Sequence, residues 1–337
     1  MSERVLVTGA GGFVAGGIVT SLIERGVVVH TLQRGFYPHL EALERQGKLR
    51  IFKGRLEDRE LVLRASEGVT TIFHVAAKAG VWGSFTDYYR SNVLGTEHVL
   101  AAARTQGVRK LVFTSTPSVV HGGHDIEGID ERAAYAVRYR TAYPKTKAIA
   151  EKMVLAENGL RFSTVALRPH LVWGPGDPHL VPRIIERARR GRLVLVGGGI
   201  AKVDATYIDS AVHAHLCAWE RLEPGAACAG RAYFIAQGEP MPMRDLINGI
   251  LDAAKLPSVR RTVDARFAWA VGALFELAYH SLGRTEEPPM TRFVAEQLAT
   301  AHWFDLSAAR RDLGYEAPVS TSEGLRRLSV FLQASER

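Results

Sequence analysis

Hydrophobic and polar positions along the chain follow two alternating periods. Short apolar runs, "VLVT" (5–8), "VVVHTL" (27–32), "LRIFKG" (49–54), "TTIFHVAA" (70–77), "KLVFTS" (110–115) and "FSTVALRP" (162–169), have the length of buried strands. Between them apolar residues recur at helical spacing, as in Phe13, Val14, Ile18, Val19, Leu22 and Ile23, which continue up to Gly26. Strands alternating with amphipathic helices imply right-handed crossovers and a parallel sheet covered on both faces. The predicted fold class is therefore α/β, a Rossmann-type doubly wound parallel sheet. Around Pro169 the rhythm breaks: "HLVWGPGDPHL", a basic helix, a hairpin-like "LVLVGGG" (193–199) and a helical portion from about 243 to 333 predict a smaller, mainly helical C-terminal substrate domain. "ATYID" (205–209) and "AYFIAQ" (232–237) read as strands rejoining the first domain. The expected division is a first domain over 1–168, with 204–236 returning to it, and a second domain over 169–203 and 237–337.

Composition narrows this picture. At 337 residues the chain exceeds the usual single-domain size, and 47% hydrophobic content fills a large core. Cys217 and Cys228 lack metal-ligand or redox spacing and read as reduced, buried thiols. The first strand begins by residue 4, so no signal peptide is expected, and no apolar stretch reaches the ~20 residues of a membrane span. A cytoplasmic protein is expected. The net charge of +8 is densest in "RIIERARRGR" (183–192), where helical spacing without interleaved aromatics favours a solvated helix face over an acidic protein or lipid surface, with nucleic acid last.

Chemistry enters with "VLVTGAGGFVAGG" (5–17), which sets five glycines in nine positions between a strand and a helix. Such a turn aims backbone N–H groups and a helix dipole at one point, suiting a pyrophosphate, and a Cβ would block the close approach. The pattern is Gly9-x-x-Gly12-x-x-Ala15, with Gly16 following. Thr114, Ser115 and Thr116 stand at the C-terminal end of a strand, the edge where open α/β sheets bind ligands. In "YPKTK", Tyr143 and Lys147 are four apart and share a helix face, so the ammonium can sit close to the phenol and bring its pKa toward the working range. With a strand-end hydroxyl to hold a carbonyl oxygen, this makes a carbonyl reducer or alcohol oxidiser.

These segments resemble the extended short-chain dehydrogenase/reductases, in the branch that includes 3β-hydroxysteroid dehydrogenases. "TGAGGFVAG", "HVAAKAG", "NVLGT", "TSTPSV", "YPKTK", "LRPHLVWGPGD" and "YIDSAVHAH" follow one another in the family order. The resemblance implies that Gly9, Gly12 and Phe13 hold the pyrophosphate, Leu56 contacts adenine, and Ala76 and Asn92 flank the cofactor. It implies further that Thr116 binds the carbonyl, Tyr143 donates the proton, and Lys147 also holds the nicotinamide ribose. Arg55 stands where the family often has Asp before that leucine, which leaves the adenine contacts open, and Ala15 replaces the third glycine. Within the branch, "AAKAGVWGSF" and the ending "HWFDLSAARRDLGY" are most similar to 2-alkyl-3-oxoalkanoate reductases of bacterial long-chain olefin biosynthesis. That likeness implies reduction of a 2-alkyl-3-oxoalkanoic acid at C3, and an assembly with other enzymes of the route. A homodimer, a lipid-like acid as substrate and no nucleic-acid partner are expected.

At the end of the second strand an NAD site usually has an acidic residue. Here Gln33 is uncharged and Arg34 can grip a 2′-phosphate, so NADP(H) is the expected cofactor. A β-keto acid needs a counter-charge: Lys78 is the first candidate, with Arg168 and His170 next, and Trp82, Tyr88 and Trp173 are expected to supply apolar walls. His121 and His124 lack a third metal ligand and read as a loop beside the pocket, so no metal is expected; His213 and His215, two apart on a helix, diverge. "FAWAVGALFELAYHSL" (267–282) reads first as a lid over a greasy substrate, with core packing and a membrane-surface contact as the alternatives. Two further functions stay open: a steroid or other bulky-alcohol dehydrogenase, and a non-catalytic dinucleotide sensor or scaffold, which would have no need of an acid-base pair.

Overall fold

A computed structural model describes residues 3–335. Seven parallel strands form the central sheet: β1 (Arg4–Thr8), β2 (Val28–Gln33), β3 (Leu49–Lys53), β4 (Thr71–His74), β5 (Lys110–Thr114), β7 (Ser163–Pro169) and β12 (Arg231–Ile235). Their spatial order is β12-β7-β5-β4-β1-β2-β3, so the chain reverses direction across the sheet between β1 and β4. Alternating side chains give each strand two buried faces, with Val5 and Val7 in one core and Leu6 in the other. On the first face lie α1 (Phe13–Glu24) and α8 (Ile208–Arg221); on the second lie α3 (Arg59–Ala65), α5 (Gly95–Gln106) and α6 (Ala142–Ala156). A short helix, α2 (Pro38–Arg45), links β2 to β3.

The remaining elements build over the C-terminal edge of that sheet. β6 (Ile126–Ile129), β10 (Lys202–Val203), β13 (Met241–Pro242) and β15 (His302–Phe304) make a second, mixed sheet. The helices of this part are α7 (Leu180–Arg189), α9 (Met243–Ala253), α10 (Ala265–Ser281), α11 (Arg292–Ala299) and α12 (Thr321–Ser335); α9 packs on β13 and against α7 and α12, and α10 packs on α11. Two expectations are corrected here. "LVLVGGG" is no hairpin: β9 (Leu195–Val196) pairs parallel with the distant β14 (Thr262–Val263), and Gly197, Gly198 and Gly199 all take positive φ in a turn away from it. "ATYID" does not rejoin the large sheet, because β11 (Thr206–Tyr207) pairs with β8 (Val172–Trp173) in a separate two-stranded ladder, whereas "AYFIAQ" supplies β12 and does join it.

One irregular helix bears on the site. The short α4 (Phe85–Tyr89) runs straight into α5 through a wide π-helical turn, Arg90–Leu94, that carries Asn92. Single π turns within α-helices recur at functional sites.

Candidate active site

The C-terminal ends of the strands open into a cleft of about 470 Å³ at the point where the strand order reverses. Ligands of open α/β sheets bind at such a reversal. A larger depression, about 750 Å³, lies at the opposite strand ends beside Arg4, Lys48 and Arg50, on the edge where this fold does not bind its ligands.

At one end of the cleft the glycine turn approaches the chain leaving β4. Gly9 has φ +76°, and a Cβ there would come within 2.9 Å of the Ala76 Cα. A Cβ on Gly11 would overlap the ring of Tyr37, which lies across the turn. Gly12 then caps α1, with its N–H donating to the Gly9 carbonyl at 2.7 Å. The Thr8 hydroxyl locks the two segments together, accepting from the N–H groups of Val75 and Ala76 at 3.1 Å each. It also pairs with His74 Nδ1 at 2.9 Å, and the other ring nitrogen of His74 reaches Thr96 Oγ1 at 2.9 Å. Burial holds His74 down to about 3, so it stays neutral.

Gly9, Gly12, Phe13, Arg34, Leu56 and Ala76 all line this part of the cleft. Arg34 is exposed, while Gln33 beside it is buried with its Oε1 unpartnered among the described residues. A backbone cradle that excludes a Cβ and a buried, unpaired acceptor at the end of β2 fit the pyrophosphate and ribose of a dinucleotide. Asn92 does not reach the cleft wall. Its Oδ1 accepts from the Lys78 N–H at 2.7 Å and its Nδ2 donates to the Lys78 carbonyl at 3.0 Å, so it fixes the loop that borders the cleft.

Thr116, Tyr143, Lys147 and Lys78 line the other end. Thr116 accepts from the Ser118 N–H at 3.2 Å. Tyr143 sits half-buried in the first turn of α6, and burial pushes its phenol up to about 12, with a hydrogen bond to Thr116 pulling the other way. Lys147, 2% exposed, donates to the Thr114 carbonyl at 2.6 Å and lies 4.0 Å from the Phe113 ring centre. Burial brings it down to about 7. The expected lowering of the phenol by this ammonium is thus not found, because the ammonium is turned to Thr114 and desolvation dominates at Tyr143.

Several proposed substrate residues lie elsewhere. Trp173 is fully buried against Tyr207, and His170 is buried with Nδ1 on the Asp204 carbonyl at 2.9 Å. Arg168 is bound to Glu151 and is likewise shut away from solvent. Lys78 already has a carboxylate, Asp87, at 3.4 Å, and its ammonium lies over the Tyr88 ring. The Tyr88 hydroxyl donates to the Trp82 carbonyl at 3.0 Å. Trp82 leaves the cleft wall for α10, its ring tilted at 45° to that of His280 with centres 4.6 Å apart, and donates to the Arg284 carbonyl. The outer face of α10 exposes Phe267, Leu274 and Leu277, so core packing does not describe that helix.

His121 and His124 stack at 6.5 Å without a third ligand, and among the described residues no group of side chains suits a metal ion. In the basic helix Arg183 pairs with Glu287 and Arg190 with Glu186, in keeping with a helix face satisfied by the protein itself. Both cysteines are free and buried. Among the described residues no helix is long and apolar enough to cross a membrane. Sequence reasoning missed Gln33 as a polar group of the cleft, Tyr37 over the glycines, and Glu151 beneath Lys147. Glu151 carried a signal, since it continues the i, i+4 face of Tyr143 and Lys147.

Residues 6–263 match the 3-beta hydroxysteroid dehydrogenase/isomerase family. The chain is 50% identical over 329 residues to the 2-alkyl-3-oxoalkanoate reductase of Stenotrophomonas maltophilia (strain K279a), covering 97% of this chain and 98% of that one. It is 37% identical to the 3-beta-hydroxysteroid dehydrogenase of Mycolicibacterium neoaurum, over 95% of this chain and 88% of that protein. Among solved structures, MoeE5 in complex with UDP-glucuronic acid and NAD superposes with a TM-score of 0.75 at 25% identity, covering 99% of this chain and 100% of that chain. With a reversing parallel sheet, a glycine cradle and a Tyr-Lys pair in one cleft, the chain belongs to the 3-beta hydroxysteroid dehydrogenase/isomerase family, nicotinamide-dinucleotide-dependent oxidoreductases acting on hydroxyl and keto groups.

Proposed function

We propose that this protein reduces the C3 ketone of a 2-alkyl-3-oxoalkanoic acid to the 3-hydroxy acid with NADPH, as a step of long-chain olefin biosynthesis. The observation that carries this reading is the near end-to-end similarity to the Stenotrophomonas maltophilia reductase. In this reading residues 1–168 with 204–236 hold the dinucleotide, and 169–203 with 237–337 shape the substrate side. Gly9, Gly12 and Phe13 hold the pyrophosphate, Leu56 contacts the adenine, Ala76 flanks the cofactor, Gln33 holds a ribose hydroxyl and Arg34 the 2′-phosphate. Lys147 holds the nicotinamide ribose, and Asn92 acts through the Lys78 loop. The substrate is a small lipid-like acid; the homodimer, the assembly with other enzymes of the route and the cytoplasmic setting belong to the same reading.

The bound cofactor supplies a hydride to the ketone carbon. Thr116 and Tyr143 hold the carbonyl oxygen, and Tyr143 gives up its proton there as negative charge develops. A phenol held near 12 keeps that proton at neutral pH, yet an alkoxide is the stronger base, so the transfer runs downhill. Ketone, NADPH and one proton become alcohol and NADP⁺.

Turnover is measured with a racemic 2-alkyl-3-hydroxy acid and a 3β-hydroxysteroid side by side, following NADPH absorbance; preference for the steroid refutes the substrate assignment. Tyr143→Phe is expected to bind NADPH normally and to lose ~10²–10⁴-fold in turnover, the usual contribution of a general acid. Near wild-type turnover in that variant would remove Tyr143 from the mechanism.

A further inference from the structure

One helical turn beyond Lys147, α6 carries Glu151, 0% exposed, and β7 sets Arg168, 3% exposed, against it. The guanidinium engages both carboxylate oxygens, Nη2 to Oε1 at 2.6 Å and Nε to Oε2 at 3.0 Å, and the Tyr135 hydroxyl adds a third hydrogen bond at 2.7 Å. A buried ion pair seldom stabilises a fold more than apolar side chains of the same size would. This pair therefore calls for another role, and its position supplies one: the charges run plus, minus, plus from Lys147 through Glu151 to Arg168.

The surroundings of Lys147 leave Glu151 as its counter-charge. On β4, His74 is neutral; on α8, His215 accepts from the Thr114 hydroxyl at 2.7 Å and is held neutral by burial, at about 4. On β5 the ammonium meets a carbonyl and the Phe113 ring, and on its own helix Tyr143 keeps its proton. Around the pair, Tyr139, Glu131 and Lys152 are neighbouring titratable groups: Tyr139 donates to the Val119 carbonyl, Glu131 accepts from the Phe234 N–H, and the exposed Lys152 places its ammonium 4.3 Å from the Tyr135 ring centre. Burial works against the Lys147 charge, and Glu151 is the group that works for it.

We propose that Glu151 is a positioning residue that keeps the Lys147 ammonium charged beneath Tyr143, and that Arg168 sets how much of the Glu151 charge Lys147 feels. The proposal rests on the role assigned above to Lys147 in holding the nicotinamide ribose.

The test uses the full chain and two pH profiles: NADPH binding by fluorescence, which needs no substrate, and kcat for ketone reduction. Both are expected to weaken on a basic limb as Lys147 loses its proton. Glu151→Gln removes the anion, and a charge one turn (~6 Å) away at an effective dielectric of ~20 moves the limb to lower pH by about two units. Arg168→Met uncovers the carboxylate and moves the limb to higher pH. Tyr135→Phe leaves the ion pair whole and gives a smaller shift to higher pH, so it decides the matter if the other two do not fold. A purely structural role lowers stability and amplitude but leaves the midpoints in place. Unmoved midpoints in the folded variants, or shifts of one sign for Glu151→Gln and Arg168→Met, overturn the proposal. If the wild type binds NADPH but does not reduce the keto acid, the functional reading fails while the binding profile still judges Glu151.

Discussion

Replacing Thr8 with valine tests how the first strand governs the cofactor site. The two side chains have nearly the same shape, and Thr8 is fully buried, so the substitution removes one hydroxyl and little packing. That hydroxyl serves three partners: the N–H groups of Val75 and Ala76, and Nδ1 of His74. Each buried polar group left without a partner costs ~1–3 kcal/mol, and some relaxation is open to the loop, so a total loss of about 3 kcal/mol is expected. Set against a typical domain stability of ~5–15 kcal/mol, the variant folds but its urea midpoint falls clearly. The same loss frees Ala76 next to Gly9, where a Cβ on the glycine would stand 2.9 Å from the Ala76 Cα, so NADPH affinity should fall with stability. Urea unfolding and fluorescence titration of NADPH read the two effects. Thr8→Ser keeps the hydroxyl and should recover most of both. A loss under ~0.5 kcal/mol with unchanged NADPH affinity would refute the idea that this hydroxyl clamps the two segments.

Other outcomes can be stated more briefly. Arg34→Ala should weaken NADPH about tenfold and leave NADH unchanged, the scale of one solvent-exposed charge-assisted contact; titrations of both cofactors check it, and an unaltered preference removes Arg34 as the phosphate reader. Lys78→Met should weaken the keto acid more than its uncharged ester in paired KM measurements; equal losses would mean that Asp87 retains the ammonium. Burial holds His74, His170, His215 and His302 at about 3, 4, 4 and 2, all below the unfolded value near 6.5. Because the unfolded chain takes up protons first, these groups contribute stability above pH 6.5 that is lost as pH falls toward their folded values, by ~1 kcal/mol per histidine per unit. Urea midpoints at pH 7.5 and 5.0 should differ accordingly, and equal midpoints would contradict their burial as neutral rings.

The sheet and the cofactor end were legible in the sequence because they depend on local signals. Val5 to Val7 with Gly9 and Gly12 specify strand, turn and helix within a short stretch, and the structure places them so. The substrate end was less legible. Trp173 and His170 are apolar or aromatic residues near a motif, which describes core and pocket equally well, and only the pairing of β8 with β11 decides that Trp173 faces Tyr207. Arg168 looks like a free cation until β7 brings it to Glu151, seventeen residues away. The Lys147 ammonium shares a helix face with Tyr143, as its spacing predicts, yet its direction is set by a carbonyl on another strand.

The wide turn at Arg90–Leu94 carries a lesson for engineering. A π turn inserts one residue into an α-helix, and one residue corresponds to about 100° of rotation. Deleting Ser91 would leave α5 seated on the sheet while swinging α4 about that far around the common axis. Tyr88 would leave the Trp82 carbonyl and Asp87 would leave Lys78, with the strands untouched. The turn thus works as a phase adjuster between two halves of one rod, so the α4 half can be re-aimed by a single-residue change in length without disturbing the half that packs on the sheet.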